Sequence, residues 1–226
     1  MIFPKNIIGP EFHQGDLTSF LFDGAELTLR SPIIPINTQN LDEVSRIKNF
    51  QNAQTNSWDV DNLNNPCFQL LQQMWTFEDK STLDDIVQCH LYVSVIEVDE
   101  AQRAQQNLLA HESFKKLMLD WMNFSFLKNE TSESIGNINH FNMSALPRPD
   151  IDGITVQVRY SADMHPSPMG FISINDRFVL SISLELQSLH YAGRSNPYSE
   201  ETLKQFEKDL FDDFLSHIKI EYSPEL

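Results

Sequence analysis

Asp163 and His165 form one of two groups of residues whose types and spacing suit catalytic or metal-binding chemistry. They lie in the run Ser161-Ala-Asp-Met-His165, which is followed by prolines. An aspartate and a histidine can share a metal ion, and serine, aspartate and histidine are the side chains of a hydrolytic triad. Since a triad needs groups that converge from separate elements, a polar loop is the favoured interpretation of this run. Without a second ligand cluster, the sequence predicts no metal site.

His190 and Arg194 form a second pair, in the run His190-Tyr-Ala-Gly-Arg194 after a long predicted strand. A histidine and an arginine at the end of a strand can bind an anion or transfer a proton. Gly193 equally suits an ordinary turn. An enzyme that uses these two residues with Asp163 and His165 therefore stands as the alternative hypothesis. His90, on a predicted central strand, is interpreted as a hydrogen-bonded core histidine.

Alternating apolar residues predict the strands that would position these loops. Asp23-Gly24 between two alternating runs is typical of a tight hairpin turn. In residues 86–98 one face is wholly apolar and the other is mixed, which indicates a central strand covered in part on both sides. The predicted strands are 17–22, 25–30, 86–98, 154–160, 171–174 and 178–186.

Apolar residues three and four positions apart predict four helices. They begin at Asn40, at Pro66, at Asp99 (with a break near His111) and at Ser199. The short helix at Pro66 would bury Phe68, Leu71, Met74 and Trp75. The last helix would bury Leu203, Phe206, Leu210, Phe214 and Ile218.

The order of these elements predicts an α+β fold. Strands and helices segregate more than they alternate, which favours a mainly antiparallel sheet flanked by helices, with the C-terminal amphipathic helix packed on it. A chain of 226 residues fits one domain, 1–226. The polar, proline-containing residues at about 128–152 predict a long exposed loop within that domain.

The charge of the chain narrows the classes of partner. It carries 16 Lys+Arg against 32 Asp+Glu, a formal net charge of −16 that is spread along the sequence. Such a charge argues against nucleic acid and against anionic membrane surfaces, and it favours encounter with a basic protein. No apolar run approaches the roughly 18 residues of a membrane-spanning helix, and the N-terminus does not resemble a signal peptide. We therefore expect a cytoplasmic protein.

Loop methionines are the residues expected to contact a partner. Loops carry recognition more often than the elements they join, and methionine adapts to irregular apolar surfaces. The predicted binding residues are Met143, Met164, Met169 and Tyr191.

Residues 153–222 resemble a known family. The stretch Phe171-Ile-Ser-Ile-Asn-Asp-Arg-Phe-Val-Leu180, followed by the helical stripe from Phe206 to Ile218, is similar to the end of the PsbP-like α/β/α sandwich family, which includes bacterial proteins encoded near toxin effectors. The resemblance implies a binding or adaptor role. The leading hypothesis is thus a non-catalytic cytoplasmic binding protein without a cofactor, either an immunity protein against a basic toxin or an effector-associated adaptor of a secretion system. The oligomeric state stays open.

Overall fold

The computed structural model describes residues 7–9, 12–31, 59–60, 66–82, 85–127, 143–158, 166–189 and 198–223. The helix predicted from Asn40 lies outside the described residues. In chain order the strands are β1 (Ile7–Ile8), β2 (Asp16–Phe22), β3 (Ala25–Ser31), β4 (Asp59–Val60), β5 (Pro66–Asp79), β6 (Asp85–Glu97), β7 (Ser144–Ala145), β8 (Gly153–Val158), β9 (Ser167–Ser173), β10 (Phe178–Ser188) and β11 (Lys219–Tyr222). The helices are α1 (Glu100–Arg103), α2 (His111–Leu127) and α3 (Glu200–Ser216), and a short 3-10 turn spans Phe12–Gln14.

The strands form two antiparallel sheets. The main sheet has the order β1-β5-β6-β10-β9-β8-β7, with β4 also paired to β5. The small sheet has the order β11-β3-β2. The α+β prediction is confirmed, with α3 packed on the sheet as expected. The hairpin at Asp23-Gly24 is also confirmed, because β2 pairs with β3 across it and Gly24 has a φ of 72°.

Two apolar layers lie on the two faces of the main sheet. The first is shared with α3 and the small sheet, and the second with α2. Strand β10 supplies both, because Leu180, Ile182 and Leu184 face the first layer and Val179 faces the second. One side of β6 is fully buried in the first layer, as the sequence predicted: Val87, Cys89, Leu91, Val93 and Val95.

Aromatic rings hold α3 against the main sheet. The ring of Phe206 lies 4.9 Å from that of Phe77 on β5, in an edge-on arrangement. Gly170 on β9 lets the helix approach closely, since a Cβ atom there would lie 3.1 Å from Cζ of Phe211. On the opposite face, Trp121 of α2 packs edge-on against Phe171 at 5.4 Å. These contacts hold α3 across one face of the main sheet and α2 against the other.

The prediction of a short helix at Pro66 is wrong, because this segment forms β5. A register irregularity between Gln69 and Leu71 inserts an extra residue into the strand. A β-bulge of this kind shifts the alternation by one position. The apolar residues on either side of it, such as Phe68 and Trp75, therefore fall at spacings that imitate a helix.

The long helix predicted from Asp99 is interrupted. Asp99 does cap α1, accepting a 2.8 Å hydrogen bond from the backbone N–H of Ala101, but α1 ends at Arg103. Asn107 then accepts a bond from the N–H of Leu109, a local turn that competes with helix. The chain resumes helix only at His111, where the sequence placed the break.

The region predicted as an exposed loop is partly docked on the sheet. Residues 128–142 lie outside the described part of the chain. Within 143–152, Ser144 and Ala145 form β7, and Leu146 and Ile151 are buried. Of the described helices, none is long and apolar enough to cross a membrane.

Candidate functional site

Of the predicted site residues, Met143 and Met169 lie in the part of the chain that the structure describes. Met143 is half-buried and packs against the second apolar layer. Met169 is only 8% exposed in β9, so its predicted role as a surface contact is corrected: it belongs to that same layer under α2. The remaining predicted residues lie outside the described residues: Asp163, Met164, His165, His190, Tyr191 and Arg194.

The described residues that flank these segments lie at one end of the main sheet. Val158, the last residue of β8, pairs with Ser167, the first residue of β9. Because β9 runs antiparallel to β10, the end of β10 at Ser188 lies at this same end. The chain segments 159–165 and 190–197 therefore leave and rejoin the described fold at one end of the sheet.

A groove of about 470 Å³ lies between α3 and the β8–β9 edge at this end. Prolines line its sheet side, and long polar side chains line its helix side. The lining residues are Gln157, Pro166, Pro168, Glu201, Lys204, Gln205, Glu207 and Lys208. Two of these eight residues are prolines and six are polar or charged, so the groove combines a small apolar surface with several groups that can form hydrogen bonds or ion pairs.

Glu207 is the most buried charged residue of the groove, at 2% exposure. Its Oε1 accepts a 3.1 Å hydrogen bond from the hydroxyl of Ser167 and a 2.9 Å bond from the backbone N–H of Leu186. Buried carboxylates require such donors because burial without them is costly. Glu207 thus connects α3 to both β9 and β10. The sequence held a signal for it, since an acid four residues after Leu203 interrupts the apolar stripe.

Ion pairs along α3 neutralise its lysines. Lys204 Nζ lies 2.6 Å from Glu200 Oε1, and Lys208 Nζ lies 2.7 Å from Asp212 Oδ2. The second pair raises the pKa of Lys208, chiefly through its hydrogen bond to the Asp212 side chain. Exposed pairs of this kind contribute little to stability. Their consequence here is electrostatic: carboxylates of the same helix neutralise both lysines that face the groove, so the lysines add no net positive charge to it.

A second anchor joins the start of α3 to the end of β5. The hydroxyl of Tyr198 donates a 3.0 Å hydrogen bond to Asp79 Oδ2. Burial, followed by this bond, raises the pKa of Tyr198 to about 12. Hydrogen bonds from the side chain and backbone of Ser81, and then from Tyr198, lower the pKa of Asp79. Ser199 caps the helix, its side chain accepting from the N–H of Thr202.

His90 lies on the face of the main sheet away from α3, in a patch that we call the polar strip: Gln88, His90 and Tyr92 of β6, with Thr76 of β5 and Glu185 of β10 beside them. Its Nε2 is 3.2 Å from Gln88 Oε1, and its ring stacks against Tyr92 at 6.3 Å. The predicted hydrogen bond is present, but the ring is half-buried and outside both apolar layers. Desolvation lowers the pKa of His90, and the charge of Glu185 on the neighbouring strand opposes that shift.

Chemically, this arrangement can hold a chain segment or a cationic group beside α3. Across the described ranges, no three His, Cys, Asp or Glu side chains are grouped as metal ligands. No family model, curated protein or solved structure matches this chain. The groove and its charges are accordingly the basis for any assignment of function.

Proposed function

We propose that this protein is a non-catalytic binding protein whose partner is a basic protein. The observation that carries the proposal is the charge of α3 beside the groove. The helix holds six carboxylates and two lysines, and both lysines are paired within it. Six carboxylates against two lysines give α3 a net charge of −4, and net negative charge beside a groove accelerates and orients the encounter with a positively charged partner.

Within that class, we propose an immunity protein of a toxin–antitoxin pair, or an effector-associated adaptor of a bacterial secretion system, acting in the cytoplasm. This finer assignment rests on the resemblance of residues 153–222 to PsbP-like proteins encoded near toxin effectors. These residues include β8, β9 and α3, the elements whose residues line the groove. An inhibitor of a basic toxin needs the acidic surface that this unit carries.

The test combines capture of the partner with a matched pair of variants. Tagged protein is used to capture partners from the source organism at low and high salt, and the partner so identified is then titrated calorimetrically. We expect one basic protein whose affinity falls with salt. The double variant Glu201→Gln/Asp209→Asn on α3 should weaken binding about tenfold or more, whereas Glu112→Gln/Asp120→Asn on α2 should leave it nearly unchanged. Equal effects of the two variants, or an acidic partner, would overturn the proposal.

A small-molecule or hydrolytic enzyme is the second candidate. It is favoured by the common attachment end of the segments that carry Asp163, His165, His190 and Arg194. Separate His165→Ala and His190→Ala variants distinguish the two candidates. Turnover of a hydrolase or transferase substrate that both variants abolish would favour the enzyme, and partner binding that survives both would favour the binding protein.

A further inference from the structure

Strand β2 is an edge of the small sheet: among the described residues, no strand pairs with its outer side. In an antiparallel ladder, alternate residues direct their backbone groups to one neighbour and then to the other. The N–H of Ser223 donates to the carbonyl of Gly24 at 3.0 Å, which assigns the even positions of β3 to the β11 side. The odd positions of β3 then bond to β2 through Thr18, Phe20 and Phe22.

The backbone groups of Leu17, Ser19 and Leu21 consequently point away from β3. This assignment makes Ser19 and Thr28 a pair whose backbones are not hydrogen-bonded to each other. Side chains lie closer in such pairs, in agreement with the 3.0 Å contact between the two hydroxyls. The outward edge of β2 therefore offers three N–H groups and three carbonyls in a row.

The side chains at these positions are arranged symmetrically about Ser19, as are the outward backbone groups. Leu17 is 60% exposed and Leu21 is 43% exposed, on the same outer face and at equal distances from Ser19. Between Leu17 and Phe22 the strand carries no charge, although the chain as a whole has a net charge of −16. A long, uncharged edge with exposed apolar residues is a ready template for strand pairing.

The two ends of this edge differ in charge: the Leu17 end holds Arg30 and Asp16, and the Leu21 end holds Glu26 and Asp23. Beside Leu17 lies Arg30, whose Nη1 donates to the carbonyls of Gly15 at 2.8 Å and His13 at 3.3 Å. Arg30 and His13 also lie close enough to His217 to help lower its pKa, after the larger effect of burial and against the charge of Asp213.

The Leu21 end is acidic. Glu26 pairs directly with Leu21, and Asp23 occupies the turn that follows β2. The Leu17 end is mixed, because Asp16 occupies the first position of the strand. An antiparallel arrangement of two such edges places Arg30 of each copy beside the acidic end of the other.

We propose that two copies of this chain pair antiparallel through β2, with Ser19 on the two-fold axis. Leu17 then lies opposite the partner's Leu21, and the small sheets join into one continuous sheet. This register makes hydrogen-bonded pairs of all three outward positions and brings the partner's Asp23 opposite Gly15, the residue that Arg30 contacts. We assign a second copy as the partner, because one register satisfies three conditions at once. It pairs the outward backbone groups, sets each Leu17 opposite the partner's Leu21, and brings Arg30 near the partner's Asp23. Net repulsion between acidic copies is screened beyond about 8 Å at physiological salt, whereas contacts at the edge are not.

Thiol crosslinking tests the register. In a Cys67→Ser background, Ser19→Cys places two thiols across the axis with Cα atoms about 5.5 Å apart, within reach of a disulfide or of a short bifunctional reagent. Leu21→Cys is the matched control on the same strand, because its two copies would lie about 14 Å apart along the strand. We expect covalent dimers from Ser19→Cys and few from Leu21→Cys. Equal crosslinking of both variants would overturn the proposed register.

Sedimentation equilibrium tests the dimer itself. At a chain concentration on the order of 0.1 mM, we expect the native protein to be dimeric in part or in full. Leu21→Lys should raise the dimer dissociation constant at least tenfold by placing a lysine at the two-fold interface. Leu109→Lys changes a leucine that is 57% exposed between α1 and α2 and should have no effect. A native protein that stays monomeric at this concentration, or equal effects of the two variants, would overturn the proposal, and circular dichroism checks that both are folded.

Discussion

The carboxylate of Glu207 accepts a 3.1 Å hydrogen bond from the hydroxyl of Ser167 in the buried interface between α3 and β9. The same oxygen accepts the backbone N–H of Leu186 on β10. One side chain therefore holds the groove-forming helix to two strands, at the sheet end where residues 159–165 and 190–197 attach. The geometry of the groove depends on this charged contact as well as on apolar packing.

Replacement of Glu207 by alanine should lower the free energy of unfolding by about 2–4 kcal/mol, because it removes the acceptor of two buried donors. Glu207→Gln keeps one acceptor oxygen and should cost less. Urea denaturation measures both changes. Glu201→Ala is the control, since this exposed acid in the first turn should contribute only about 0.5 kcal/mol. A loss for Glu207→Ala no larger than that of the control would contradict the role assigned to Glu207.

The long strands could be predicted because their burial repeats every two residues. Strand β6 has one fully buried side, and β10 alternates between two layers, so the pattern of each is visible in its own residues. Strand β5 could not be predicted in this way, because its bulge breaks the period. The short strands β1, β7 and β11 contain two to four residues each. They exist because a neighbouring strand pairs with them, a property that local sequence does not carry.

The candidate site was less predictable than the fold. The groove joins Gln157 and Pro168, from adjacent strands, to Lys204 and Glu207, from a helix much later in the chain. The packing of α3 on Gly170 and the hydrogen bonds of Glu207 to β9 and β10 bring these residues together. The residue types of the loops instead predicted methionines as the binding residues. Of these, Met169 lies in the interior, on a strand whose residues are all buried.

Asn175 should be a second determinant of stability, because it links two hairpin turns that are distant in sequence. Its Nδ2 donates to the carbonyl of Asp23 at 2.8 Å, and its Oδ1 accepts from the N–H groups of Arg177 and Phe178. Asn175→Ala should lower the free energy of unfolding by about 2–3 kcal/mol. The adjacent exposed residue gives the control, since Asp176→Ala should change it by less than about 0.5 kcal/mol. Similar losses from the two variants would contradict the assigned link.

Tyr198 should make stability fall at high pH. The pKa of Tyr198 is raised to about 12 in the folded state, against about 10 in an unfolded chain. The folded protein therefore retains a proton that the unfolded chain loses, so this contribution is complete below about pH 10 and is lost as pH rises toward 12.

Urea denaturation across this range, for the native protein and Tyr198→Phe, measures the effect. Near neutral pH, Tyr198→Phe should lower the free energy of unfolding by a constant amount, because the hydrogen bond to Asp79 is lost. Above about pH 10, the free energy of unfolding of this variant should fall less steeply with pH than that of the native protein. Tyr222, whose pKa burial also raises, remains in both proteins and accounts for part of the decline that persists. Parallel curves throughout the range would contradict the effect assigned to Tyr198.

His90 should titrate below its usual pKa of 6.5, because desolvation on the polar strip disfavours the imidazolium. The folded state then binds a proton less readily than the unfolded chain, so this contribution to stability is present above about pH 6.5 and is lost as pH falls through the folded pKa. Ring C–H signals in proton NMR, assigned with His90→Asn, report the titration directly. Glu185→Gln removes a charge that opposes the shift and should lower the midpoint further, whereas Glu221→Gln on the small sheet should leave it unchanged. A midpoint at or above 6.5 in the native protein, or one that rises in Glu185→Gln, would show that the charge of Glu185 and the burial of the ring do not set this pKa.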